Sequence, residues 1–390
     1  MNVVRNAALV ALTCIMFAGN PGHAQEMSIA WLKVAEDLPP TLSNLDPVPD
    51  NLGAAGAETA LADNATTGRF MGQDWSLQTF TVALGDDPSD TARQALAKTR
   101  FVIVDAPADA LLSIADLPEA QGAVLMNAGS EDATLRAEAC RANVLHTLPS
   151  VAMRTDALAQ LLVKKKWDDL VMIAGGHARD QAFAASVEAS FAKFGLTLAG
   201  RKEWRFDADM RRNAAQEVPL FTQDFGRYDA LIVADEYHDF GRYVLYNTWE
   251  PRPIVGSEGL TAEAWGKAVE QWGAAQLQSR FFDEHARSME PRDYAAWAAM
   301  RALGEAVTRT KSNDPAVLLD YMLGDDFELA GFKGRPLTFR TWNGQLRQPI
   351  PLLHPRALVA NAPLEGFLHQ RTELDTLGLD APESACTAFN

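Results

Sequence analysis

Positive charge is scarce in this chain: its 390 residues carry 35 Lys and Arg against 51 Asp and Glu, a formal net charge of −16. A nucleic-acid partner needs a basic stripe to neutralise phosphates, so that class is excluded. Cysteine is nearly absent, with three residues in all, at positions 14, 140 and 386. No apolar run in the body of the chain reaches the roughly 20 residues that a membrane-spanning helix requires. Signature catalytic motifs are missing too: there is no HExxH, GxSxG, Walker A or EF-hand pattern, so nothing local argues for an enzyme or for a bound cofactor. The acidity itself does not name a ligand, because net charge reports on solubility and long-range fields.

The first residues read as a leader. Residues 1–24 start with one positive charge at Arg5, continue through the apolar run AALVALTCIMFAG, and end on Gly22, His23 and Ala24. This is the form of a secretory signal peptide cut before Gln25, which would export the mature chain to the periplasm. About 366 residues would then remain, enough for two domains. Cys140 and Cys386 are the cysteines left in an oxidising compartment, where a bond between them would close a very long loop and tie down the tail; two separate buried thiols are the alternative.

Short Val- and Ile-rich runs alternate with stretches of helical period. Strands are expected at MSIAWLKV, SLQTFTVAL, FVIVD and GAVLMNAG. Helices are expected at Leu52–Asn64, near Asp90–Lys98 and around Asp109–Ile114. A second series follows: a helix over Val151–Lys166, strand LVMIAGG, a helix over Arg179–Phe194, a strand near Leu196–Trp204, then ALIVADE and PIVGSEG. The stretches Ala262–His285 and Tyr294–Thr310 read as helical, followed by a segment at Asp314–Leu323. This alternation predicts an α/β fold of two similar lobes, each a mainly parallel sheet flanked by helices.

Several stretches carry a more specific likeness. The loop-to-helix run PTLSNLDPVPDNLGAAGAETALADNATTGRFMGQ, then EACRANVLHTLPS, VADEYHDFGRYVLYNTWEPRP, EQWGAAQLQSRF and EGFLHQRTELDTLGLD resemble the substrate-binding protein of the ABC transporter associated with PQQ-dependent alcohol oxidation. That family is a branch of the leucine-type (type I) periplasmic binding proteins. DYAAWAAMRALGEAV and FKGRPLTFRTWNGQLRQP fit the order in which the wider superfamily returns between its lobes. The resemblance implies a division into 25–148 plus about 258–328 for lobe 1, about 149–257 plus about 329–362 for lobe 2, and a tail at 363–390. It implies a small-molecule ligand linked to PQQ-dependent alcohol oxidation, an ABC permease as partner, and a PQQ-dependent dehydrogenase as a further one. A sensor role, an accessory role beside that dehydrogenase, and binding of its lanthanide or calcium ion stay open.

In open α/β sheets ligands bind at the carboxyl ends of the strands. That rule selects Lys33, Asp105 and Asn127 in the first lobe. In the second it selects Gly176, His177, Arg179, Glu236, Tyr237 and Glu258, with Trp249 as a stacking or packing residue. The GGHARD turn could cradle a carboxylate or phosphate on helix N–H groups beside His177 and Arg179, or be an ordinary tight turn. In ADEYHD, Tyr237 could stack on a flat ligand while His238 bonds to it, Asp235, Glu236 and Asp239 could hold a cation, or the acids could serve a helix start. Trp31, Trp265, Trp272 and Trp297 are expected to pack, and Arg69 to lie away from the cleft.

Overall fold

The structure is a computed structural model that describes residues 25–39, 47–205 and 210–389. The expected leader and residues 40–46 lie outside the described residues.

The first lobe runs β1 (Gln25–Val34), α1 (Ala54–Met71), β2 (Gln73–Val82), α2 (Pro88–Leu96), β3 (Phe101–Asp105), α3 (Ala108–Ala115), β4 (Val124–Asn127) and β5 (Val144–His146). β3 and β4 are buried along their whole length, as apolar strands covered on both faces must be. The sheet order is β2-β1-β3-β4-β5, with every pair parallel. α2 starts where the side chain of Asp87 accepts the Ser89 N–H with Pro88 in the first turn.

The second lobe repeats the design with α4 (Val151–Lys165), β6 (Leu170–Ala174), α5 (Ala178–Phe194), β7 (Leu198–Glu203), α6 (Met210–Thr222), β8 (Ala230–Ala234), α7 (Gly241–Val244) and β9 (Ile254–Gly256). Its parallel sheet has the order β7-β6-β8-β9. After the two-residue β10 (Thr261–Ala262) come α8 (Ala274–His285), α9 (Pro291–Thr310) and α10 (Pro315–Leu323). The chain ends with β11 (Leu329–Ala330), β12 (Pro336–Phe339), β13 (Leu346–Arg347), β14 (Ile350–His354), β15 (Ala357–Ala362) and the tail.

Two buried clusters separate the lobes. α1, β1, α8 and α9 share the first, where Trp31 and Trp297 are buried and Trp265 stacks on Tyr294 with ring centres 4.6 Å apart. α4, α5, β6 and β8 share the second with β14 and β15. α1 lies so close to α9 that a Cβ on Gly56 would fall 1.8 Å from the Asp293 carbonyl oxygen.

The chain crosses between lobes after β5, near Glu263, and between Leu346 and Ile350. The last crossing falls later than the boundary near 329 expected from sequence, because Leu329, Leu337, Phe339 and Leu346 pack in the first core. The second crossing likewise follows Ala262, which belongs to the second core. Residues 263–273 are not helical as expected: Ala262 pairs with Leu352 of β14, and Gly273, at φ 84°, opens α8. Trp272 is 45% exposed rather than packed, sitting at positive φ beside Gly334.

Polar side chains fasten the crossing strands. Gln348 donates to the Thr147 carbonyl at 2.8 Å and Gln345 to those of His146 and Leu148, both at 3.2 Å. In the tail, Asp375 accepts from Arg340 at 2.9 Å and Arg347 at 2.8 Å. Gly378 N–H donates to Asp156 on α4 at 2.8 Å, and Cys386 is disulfide-bonded to Cys140. Among the described residues no helix is long and apolar enough to cross a membrane.

Candidate functional site

The loops after β1, β3 and β4 face those after β6, β8 and β9, and charged side chains from both lobes meet between them. Glu36, two residues beyond β1, accepts from Arg179 in the first turn of α5. It also accepts from Arg292 of α9 at 3.5 Å. Arg292 donates to Asp105, at the end of β3, at 3.2 Å. Burial raises the Asp105 carboxyl above its ordinary value, and the charges of Arg292, Lys33 and Arg179 oppose that rise. The Arg179 guanidinium lies over the Tyr237 ring, 5.4 Å from its centre. Tyr237 in turn meets His177 edge-on at 4.9 Å, and His177 pairs with Asp239 at 2.6 Å. This first network contains a flat aromatic face, guanidinium groups and a carboxylate shared between lobes.

A second network surrounds Arg154 of α4, which is 5% exposed. Its guanidinium pairs with Glu131 after β4 at 2.6 Å, with Glu236 after β8 at 2.8 Å and with Glu263 just after β10 at 3.4 Å. Its Nε donates to the Ala262 carbonyl at 2.9 Å. One cation therefore serves three carboxylates drawn from both lobes. Burial works against ionised Glu236, yet Arg154 and the Ser257 hydroxyl hold it below the ordinary carboxylate value. Glu263 is pushed up to about 7 by burial, with Glu131 and Glu236 adding to the rise that Arg154 opposes.

Beside these, His238 bonds to Glu258 at 3.1 Å and sits at φ 58°. That bond pushes its imidazole up to about 9 against the effect of burial, so it is cationic at neutral pH. Its charge reaches Glu290, which caps α9 from the first lobe.

The anion cradle expected at GGHARD is already in use. Asp180 accepts the His177 N–H at 3.1 Å and the Glu236 N–H at 2.7 Å, so a carboxylate of the protein itself occupies the start of α5. Gly176 is exposed with open space beside it. Asp235 is buried and accepts from the N–H groups of Asp239, Phe240 and Gly241, the helix-start role allowed for that turn. With Glu236 and Asp239 also engaged, the acids of ADEYHD do not converge. No three His, Cys, Asp or Glu among the described residues form a group that could hold a metal ion.

The remaining expected residues divide plainly. Lys33, Asp105, Arg179, His177, Tyr237, Glu236 and Glu258 all face the interlobe region. Asn127 lies at its edge but bonds inward, to Ser130 and Gly129 of its own loop and to His146. Trp249 is elsewhere: its backbone N–H donates to the Thr222 hydroxyl at the end of α6, on the side where the second-lobe strands begin. Trp31 is core, and Arg69 is in the last turn of α1 with its side chain exposed near Thr66. Sequence reasoning missed Arg154, Arg292, Glu131, Glu263 and Glu290. Arg292 carried a signal: a cation in the first turn of a helix opposes the helix dipole and needs another reason to be there.

No protein-family model and no curated protein matches the chain. Solved structures do match over most of its length. An amino acid ABC transporter substrate-binding protein from Pseudomonas fluorescens Pf-5 shares 13% identity with a TM-score of 0.66, covering 93% of this chain and 99% of that one. A branched-chain amino acid ABC transporter periplasmic ligand-binding protein from Burkholderia xenovorans LB400 shares 13% identity at TM-score 0.67, over 93% and 100%. A solute binding protein of an ABC transporter from Rhodopseudomonas palustris BisB5, solved with 3,4-dihydroxybenzoic acid, shares 12% at TM-score 0.59, over 84% and 93%. Likeness at this identity establishes the fold, the two-lobed type I periplasmic binding arrangement expected from sequence.

Proposed function

We propose that this chain is a periplasmic solute-binding protein, which encloses a small molecule between its lobes and presents the closed form to the permease of an ABC transporter. The observation that carries this is the bridge between lobes: Arg179 of the second lobe, lying over Tyr237, shares Glu36 of the first with Arg292. A guest that touches both sides of such a bridge stabilises the closed form by its extra affinity for it, and a transporter can sense that difference in shape. Binding and release need no nucleophile and no general base.

The guest we propose is a flat organic anion, either PQQ or a compound of the alcohol oxidation that PQQ serves. Support comes from the sequence resemblance and from the pairing of an aromatic face with guanidinium groups, which suits a ring bearing a carboxylate. The Rhodopseudomonas palustris neighbour was solved with a compound of that type.

The test is calorimetric titration and thermal shift on residues 25–390 with PQQ, hydroxybenzoates, aromatic alcohols, branched-chain amino acids, and calcium and lanthanide ions. Binding of one class, a smaller radius of gyration in solution scattering and no turnover are expected. Arg179→Ala should weaken binding by about tenfold or more while keeping the fold. A panel that leaves the radius of gyration unchanged throughout would remove the proposal.

A further inference from the structure

The charges at the end of the first-lobe sheet do not balance. Lys33 and Asp105 are register partners on the neighbouring parallel strands β1 and β3, so their side chains leave the sheet on the same face. Glu36 follows on the loop, Arg292 enters from α9, and Arg179 comes from the opposite lobe. Asp105 is 2% exposed, and the charges of Lys33, Glu36, Arg179 and Arg292 all act on it. Three cations thus face two carboxylates, and the one further carboxylate that acts on Arg292, Glu131, is itself paired with Arg154.

Pairing leaves one of the cations over. Arg292 is shared by Asp105 and Glu36, and Arg179 is held by Glu36. Lys33, half-buried, makes no ion pair or hydrogen bond among the described residues. A shielded ammonium beside two guanidinium groups attracts an anion more strongly than any of them would in open water. Arg292 adds to this from an unfavourable place, the positive end of α9.

We infer that Lys33, Arg179 and Arg292 form a seat for one carboxylate of the guest, and that Glu36 is its built-in competitor for the two guanidinium groups. This rests on the binding role and the anionic guest proposed above and adds how the charge is held: these three cations seat the carboxylate, so the acid is taken in preference to its neutral analogue. One negative charge brings the cluster to neutrality. Glu36 weakens the seat by occupying part of it, which lets a periplasmic binder release what it has caught.

Benzoate and benzamide, nearly equal in shape and different in charge, are the probes, with acetate as a smaller anion. Binding is read by calorimetry and interlobe separation by solution scattering, on wild type, Glu36→Gln, Lys33→Met and Lys33→Gln. Benzoate should bind at least about tenfold more tightly than benzamide. Glu36→Gln should tighten benzoate by about tenfold and either Lys33 variant should loosen it similarly, with benzamide unmoved.

Equal binding of the two probes, loss of benzoate binding in Glu36→Gln, or no binding of benzoate or acetate at tens of millimolar would each overturn the seat. Closure around neutral or cationic solutes, with the Lys33 variants matching wild type, would keep the binding role and remove the seat. Benzoate held by Lys33 with interlobe separation unchanged by every solute would do the reverse.

Discussion

Glu263 should destabilise the protein it belongs to. Its carboxyl is pushed up to about 7 by burial and by Glu131 and Glu236, although Arg154 stands beside it. Relative to an ordinary value near 4.5, that rise means that keeping Glu263 ionised in the folded chain costs about 3 kcal/mol at pH 8. The sign follows from linkage: a carboxyl whose folded value is raised favours folding most below its unfolded value, and that advantage is lost as pH rises through about 7. Glu263→Gln removes the ionisation and keeps an oxygen for Arg154. The variant should therefore gain up to about 3 kcal/mol at pH 8, which for a chain of this size is about 4 °C in melting temperature. The gain should fade toward zero between pH 7 and pH 4.5. Melting curves of both proteins across that range decide it. A variant that melts with or below wild type at pH 8, or a gain that does not shrink on acidification, would refute the reasoning.

Gly56→Ala should cost about 3 kcal/mol or more, since its methyl group meets the α9 backbone rather than a side chain that could move; chemical denaturation will measure it. Replacing Cys140 and Cys386 by Ser frees a cross-link between residues 246 apart, and the loop-entropy model gives a loss of about 5–6 kcal/mol, readable as a lower denaturant midpoint. Arg154→Met should lose about 3–5 kcal/mol, because three carboxylates keep their burial without their cation, and the loss should be smaller at pH 5 than at pH 8. Trp249→Ala should leave ligand affinity unchanged within error, since that side chain stands on the other side of the second lobe.

Parts of the molecule whose pattern is local were legible in the sequence. FVIVD is β3 to the residue, and Val151–Lys166 is α4 to within one, because Ser150 caps the start by accepting the Met153 N–H. α6 was not legible: Pro219 reads as a stop, yet it lies inside the helix. The segment 263–273 looked helical because its period is right, but strand pairing of β10 and the burial of Trp265 prevailed.

The candidate site was half visible. Of the residues the strand-end rule selects, Lys33, Asp105, His177, Arg179, Glu236, Tyr237 and Glu258 are brought to the interlobe region by the fold. The rule could not find Arg154 and Arg292, which come from helices and reach the cleft only when tertiary packing aims them there. Trp249, taken as a stacking or packing residue on other grounds, lies in a loop that precedes a strand rather than follows one.

The tail grips both halves of the molecule: Gly378 is fixed to α4, and Cys386 is covalently joined to the loop before β5. Fully stretched, the seven residues between these anchors let them stand about 29 Å apart at most. They form a leash of fixed length along the spine of the molecule, so however widely the mouth gapes, the back can part no further than that leash allows. Cutting the sulfur link would lengthen the leash without touching the jaws.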